Sequence, residues 1–215
     1  MHRARLTLAA IAIAVAGTSA AQDCGSLNNA YGPFDYRTAR QELAVVEEYH
    51  FNRNVETLRG GASGDIVADL DYTLRASPNH HRALTSMSNL ILKLRNEKPP
   101  GAGFTISCYF DRAMRFAEDD GVVRMIHGIF LSKIGKKQDA LKRFEEARAL
   151  IPENANIHYN LGLVYFDLKD YPNALAHAQA AYQLGFELPG LKNKLVGAGQ
   201  WREPKPVQKE PRPAE

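Results

Sequence analysis

Several groups of residues in this chain are of types that do chemistry. His80-His81, with Asp69 and Asp71 upstream, carries the donor types of a metal centre. Its spacing argues against one, because adjacent histidines at a helix start point in different directions and no further ligand recurs four residues on. Gly60-Gly-Ala-Ser-Gly64 superficially resembles a phosphate-cradling loop. Without a preceding strand and a lysine it reads as a flexible hairpin turn, and there is no Gly-x-Ser-x-Gly nucleophile elbow. The pairs Glu47-Glu48 and Asp119-Asp120 could supply an acid and a base, but such neighbours are more often solvated charges. His127 and His158 fall in predicted helices as packed or hydrogen-bonded side chains. The expectation is a protein that is not an enzyme, with no catalytic residue, metal or cofactor.

Cys24 and Cys108 are the two cysteines. Either they pair, or Cys108 is a small buried hydrophobe and Cys24 a mobile thiol. Pairing is expected, because an unpaired exposed thiol outside the cytoplasm is a chemical liability. The bond would fasten an extended N-terminal segment to the second helical unit.

That compartment is read from the N-terminus. Met1 to Arg5 is short and basic, Leu6 to Ala16 is apolar, and Gly17-Thr-Ser-Ala-Ala21 offers the small residues of a cleavage site. This is the pattern of a signal peptide over 1–21. The apolar run is about 11 residues, well short of the ~20 of a membrane span. Asp23 before Cys24 speaks against a lipid anchor. The expectation is a periplasmic or secreted protein with no transmembrane anchor after cleavage. Loss of Arg3 and Arg5, with no acid, lowers the formal charge from +3 to +1. So neutral a chain lacks the basic stripe of a nucleic-acid binder.

The elements that would position these residues are helices. Residues 22–46 form an extended segment by turn composition, with Tyr31-Gly-Pro-Phe34-Asp-Tyr36 expected to bury rings against the rest. Leu43-Ala-Val-Val46 fits a short helix or an extended run equally well. Val55 to Arg75 reads as two helices broken at 60–64, and Pro78 ends the second. Asn79 is placed to cap a helix carrying Leu84, Met87, Leu90, Ile91 and Leu94. Asn96 to Gly103 is a projecting loop. Helices then alternate with short connections over 106–117, 122–134, 138–150, 155–168 and 172–184. A short one near 191–198 ends at Trp201, and 202–215, with four prolines, reads as a polyproline-like disordered tail.

Gly128 and Gly162 are 34 positions apart, as are Ala140 and Ala174. With Leu131, Phe144, Ala147 and Pro152 in one block, and Tyr159-Asn160-Leu161-Gly162, Tyr165, Tyr171 and Ala181 in the next, this resembles the tetratricopeptide repeat. His127 stands where that family usually has Leu, Ala178 where it has an aromatic residue, and Phe186 where it has a terminal Pro. Phe110 and Ala113 extend the phase backward if the Pro99-Pro100 loop is an insertion.

The resemblance implies an all-α, right-handed α-solenoid of helical hairpins with a C-terminal capping helix. Its units are about 47–80, 81–120, 121–154 and 155–188, with the cap at 189–201. It further implies a protein-binding adaptor or assembly scaffold for a cell-envelope process, holding a protein or peptide partner in a concave groove lined by the first helix of each unit. By phase the groove residues are Arg82, Asn89, Lys93, Met125, Ile129, Lys133, Tyr159, Asn160, Leu163, Phe166 and Asp167, with Thr85, Ser86 and Ile126 among them. Arg82, Lys93 and Lys133 would form a basic edge suited to an acidic or carboxylate end. The alternatives are a structural subunit self-associating through repeats and tail, or an enzyme built on the repeats.

Overall fold

A computed structural model describes residues 24–204. The signal-peptide pattern at 1–21 and all of the Pro-rich tail beyond Pro204 lie outside the described residues. The described residues form ten α-helices and no strand. They are α1 (Arg40–His50), α2 (Arg53–Glu56), α3 (Ile66–Ala76), α4 (His81–Leu94), α5 (Ile106–Phe116), α6 (Gly121–Lys133), α7 (Lys137–Leu150), α8 (Ala155–Asp167), α9 (Tyr171–Gln183) and α10 (Gly190–Gly197). None is long and apolar enough to cross a membrane.

Local chemistry sets the helix starts. Asp65, Thr105, Asp120, Asn154 and Asp170 each accept hydrogen bonds from backbone N–H groups of the following first turn, satisfying donors a helix cannot satisfy itself. Pro172 sits in the first turn of α9, where a missing N–H costs nothing.

The helices pair as successive antiparallel hairpins, α4 with α5, α6 with α7 and α8 with α9, and neighbouring hairpins pack side by side. The close approach of α6 to α7 depends on Gly128, whose absent Cβ leaves room for the Phe144 ring. Phe144, Ala140, Ala147, Ile157, Leu161 and Val164 are buried together around it. A larger core joins α2 to α6 through Leu70, Leu74, Leu84, Met87, Tyr109, Phe110 and Val123. At the far end α10 lies on α8 and α9, burying Leu191 and Leu195 against Ala174 and Ala178.

The N-terminal half departs from the sequence reading. Residues 40–46 belong to a helix, so the extended segment stops at Ala39. Leu43 and Val46 point inward from α1 onto Ala76 and Tyr36, and α1 therefore pairs with α3. The expected helix at Val55 shrinks to the four residues of α2. Asn79 caps nothing: the side chain that caps α4 is His80, which accepts from Ala83 N–H. Asn79 instead accepts from Tyr36 N–H and donates to Asp35 and Asp120. The loop after α4 does not project either. It folds back on α3, with Gly103 N–H donating to Asp71 and with Ala102 and Phe104 packed on the core.

Cys24 is bonded to Cys108 on α5. The segment behind it runs along α5 and α3. Arg112 donates to the Cys24 and Ser26 carbonyls, Arg115 to that of Gly25, and Phe34 N–H to that of Ala76. Arg37 reaches Asp119 at 2.9 Å in the turn before α6.

Candidate functional site

With its N-terminal segment on α3 and α5, the protein leaves the other side of α4 and α6 open. A cleft of about 370 Å³ lies there, lined by Glu56, His81, Arg82, Thr85, Ser86, Asn89, Val122, Met125, Ile126 and Ile129. It continues into a narrow apolar slot of about 40 Å³ formed by Ser88, Leu92 and Phe130 with Thr85, Asn89, Ile126, Ile129 and Lys133. The helical period explains the lining. Met125, Ile129 and Lys133 fall on one face of α6 at intervals of four, and Arg82, Thr85, Ser86 and Asn89 at intervals of three and four on α4.

Of the residues expected from sequence, the cleft and slot bring together Arg82, Asn89, Met125, Ile129 and Lys133, with Thr85, Ser86 and Ile126. Lys93 is exposed beyond the lining. The five expected residues of α8 are not part of it. Tyr159, Leu163 and Phe166 pack into the cluster around Leu191 and Leu195, and Tyr159 stacks on Phe186 with centroids 4.0 Å apart. Asn160 donates to the Asn156 carbonyl in its own helix, and Asp167 pairs with Lys137 at 2.9 Å. The cause is the turn after α9: Gly185, at φ +87°, bends the chain so that Phe186 and α10 return over α8.

The expected basic edge is also altered. Arg82 donates to both carboxylate oxygens of Glu56, at 2.7 and 2.6 Å, and lies 3.9 Å from Glu47. The guanidinium beside it holds the Glu56 carboxyl below the usual carboxylate range, and the hydrogen bonds from Arg82 to Glu56 raise the guanidinium in turn. Lys133 donates across the slot to Asn89 at 3.1 Å. Arg82 is thus an occupied ion pair on the cleft wall, and the chemistry on offer is an apolar floor with polar walls. Glu56 escaped the sequence reading because its helix is too short to show a period.

The residues considered for a metal or for catalysis hold the turns together. Asp69 accepts from Ala62 N–H, Ser63 N–H, the Ser63 hydroxyl and His50 Nδ1, which fixes the glycine-rich loop. Those hydrogen bonds outweigh the cost of burial and keep its carboxyl below the ordinary value. Asp71 accepts from Tyr109, Gly103 and Arg75. His80 lies against Tyr36 and Phe51 and meets Glu47 at 3.0 Å, and burial pushes its imidazole down. His81 meets Asp120 at 2.8 Å. Among the described residues no group of histidine, cysteine and acidic side chains could hold a metal ion.

His127 stacks on Phe110 at 4.3 Å, and its buried Nδ1 has no hydrogen-bond partner. Burial, aided by Arg143 and Lys136, pushes it down to about 3. His158 and His177 meet through their Nδ1 atoms at 3.0 Å.

Comparison with known proteins adds one family model. The tetratricopeptide-repeat model matches residues 131–186, from the end of α6 through α9. No curated protein matches the chain. Among solved structures, two mutants of MamA align at TM-scores of 0.41 and 0.39 with 18% and 19% identity, covering 55% and 62% of this chain and 66% and 91% of theirs. A third MamA structure aligns at 0.39 and 19% identity over 69% of this chain and 84% of that one. The chain spans just under two thirds of the first of these, and at such scores the likeness carries nothing about function. Residues 131–186 are therefore similar to tetratricopeptide-repeat sequence, and the described residues around them are helical without a strand.

Proposed function

We propose that this protein is an exported scaffold that holds a segment of a partner protein in the α4/α6 cleft. The observation that carries the reading is the cleft itself, in which Met125, Ile126 and Ile129 form an apolar floor that the chain's own N-terminal segment leaves uncovered. Because Arg82 is held by Glu56, the partner is anchored by apolar side chains, and a carboxylate end contributes little. The α8 surface takes no part in the contact.

The signal-peptide pattern at 1–21 and the Cys24–Cys108 bond together support an oxidising envelope compartment. In that reading 24–39 is a strap along the repeats, α10 caps the last hairpin, and the protein is not an enzyme. The cleft's titratable groups are paired within the protein, Glu56 with Arg82 and His81 with Asp120, and the 97–105 loop packs on α3, so no acid and base face a substrate.

Selection of a random peptide library on the immobilised protein tests the reading. Peptides with spaced apolar anchors should emerge, and Ile129→Glu should abolish their binding while leaving helical circular dichroism intact. Peptides that bind Ile129→Glu as well as the parent would refute it.

A further inference from the structure

A second cavity, of about 300 Å³, opens between α1, α3 and the N-terminal segment and shares no residue with the α4/α6 cleft. It is lined by Tyr31, Val45, Val46, Tyr49, His50 and Tyr72, and by no lysine or arginine. Three of its rings are fixed. Tyr31 donates its hydroxyl to the Glu42 carbonyl and meets Phe34 edge-on at 4.9 Å, and Tyr72 is held against His50 with centroids 4.0 Å apart. Val45 and Tyr49 nonetheless remain 45% and 58% exposed.

His50 gives this cavity one polar group whose sense is set. Its Nδ1 lies 3.0 Å from Asp69 Oδ1, and Asp69 also receives the Ala62 N–H, the Ser63 N–H and the Ser63 hydroxyl. A carboxylate only accepts, so the imidazole proton sits on Nδ1 and the neutral ring keeps a lone pair on Nε2. Because Nδ1 turns inward to a buried carboxylate, Nε2 lies on the outer edge of a side chain that is 25% exposed and lines the cavity. No described residue donates to it.

We infer that the cavity binds a small arylalkylammonium ion, whose N–H donates to His50 Nε2 and whose ring lies against Tyr31 and Tyr49. The sign of the charge follows from the surroundings. Glu42 and Glu48 are exposed on α1, three positions to either side of Val45, and neither is in an ion pair among the described residues. That spacing sets both carboxylates beside Val45. Arg75, whose guanidinium lies 5.5 Å from the Tyr72 centroid, is paired with Asp71 at 2.8 Å. The uncompensated acids and the negative faces of the tyrosine rings together favour a cation. A volume of about 300 Å³ is at the lower end for small-molecule sites, which suits one ring on a short arm. Tyrosine rings take an aromatic body in offset or edge-on contact. Since Nε2 must receive a hydrogen, the ammonium keeps an N–H, and a quaternary nitrogen does not satisfy the site.

The test is a titration of the purified protein with 2-phenylethylamine near neutral pH, followed by amide resonances. Those of Tyr31, Val45, Tyr49, His50 and Tyr72 should move, and those of α4 and α6 should stay. Three relatives of the probe should each bind about tenfold more weakly or worse: 2-phenylethanol, which lacks the charge, the N,N,N-trimethyl derivative, which lacks the N–H, and n-butylamine, which lacks the ring. His50→Phe keeps a ring against Tyr72 and removes the acceptor, so it should weaken the amine by about tenfold and leave the trimethyl derivative unchanged. Tyr49→Ser, at an exposed position that the fold does not need, should weaken both by about fivefold. No movement up to about 10 mM amine, shifts confined to α4 and α6, any of the three relatives binding as tightly as the amine, or binding indifferent to both substitutions would overturn the proposal.

Discussion

Replacing Gly128 by alanine tests the hairpin geometry most directly, because two opposing effects can be sized. In an exposed helix interior, glycine to alanine gains about 1 kcal/mol. At Gly128 a Cβ would stand 2.7, 2.8 and 2.9 Å from three atoms of the Phe144 ring. Contact at about 3.5 Å requires the ring to retreat by about 0.7 Å. Phe144 is fully buried, so it has no solvent side to move into, and overpacking of this kind costs about 2–3 kcal/mol. The net expectation for Gly128→Ala is a loss of about 1–2 kcal/mol. Gly197, at the end of α10 with nothing within 4 Å of a new Cβ, serves as the control. Gly197→Ala should be neutral or stabilising by up to about 1 kcal/mol. Gly162 should behave like Gly128, since its Cβ would press on Leu191, itself fully buried, and stand 3.2 Å from the Ala174 carbonyl. Urea unfolding followed by circular dichroism gives all three values. A Gly128→Ala protein as stable as Gly197→Ala would refute the claim that the helices meet at this residue.

Further outcomes follow from the turns and the buried groups. Replacing Cys24 and Cys108 together by serine opens a loop of 84 residues' separation and should lower stability by up to about 4.5 kcal/mol in urea. Asp69→Ala leaves the Ala62 and Ser63 N–H groups without their acceptor and should cost about 3 kcal/mol, with limited proteolysis appearing within 60–64. His127 and His177 are held down at about 3 and about 4, chiefly by burial, whereas in the unfolded chain they take up protons near pH 6.5. Their contribution is therefore complete above pH 6.5 and declines as the pH falls toward the folded values, by at most about 1.4 kcal/mol per unit for each histidine. His127→Leu should flatten the slope of stability between pH 6.5 and 4.5, and an unchanged slope would contradict the assignment.

The part of the fold most legible in sequence is the part that repeats. Gly128, Ala140, Phe144 and their counterparts 34 residues on are dictated by helix contact alone, so type and spacing reveal them. Helix α1 was obscure because Leu43 and Val46 supply only a brief apolar stripe, and its partner, α3, lies beyond an intervening loop. The path of residues 24–39 was hidden for a related reason. Its backbone is held by Arg112, Arg115 and Asn79, distant side chains whose direction no local pattern encodes.

In the candidate site, the α4 and α6 residues that line the cleft share a helical phase, since both helices present a regular face. The α8 residues fall outside the cleft, and phase, which marks the face a side chain is on, does not show that Phe186 stacks on Tyr159 and that Leu163 and Phe166 pack towards α10. Arg82 was read as an available cation because Glu56 sits in a helix of four residues with no period of its own.

The strap gives the molecule unequal mechanical halves. From Cys24 to Arg37 it is fastened in turn to α5, to the end of α3 and to the turn before α6, cross-tying layers that otherwise touch only their neighbours. Beyond α6 no such strap exists among the described residues, and α7 to α10 are held by packing, ion pairs and hydrogen bonds between neighbouring helices. Under tension between its ends the protein would yield first from α10 inward, like a spring bolted to an anvil, while the α4/α6 cleft kept its shape.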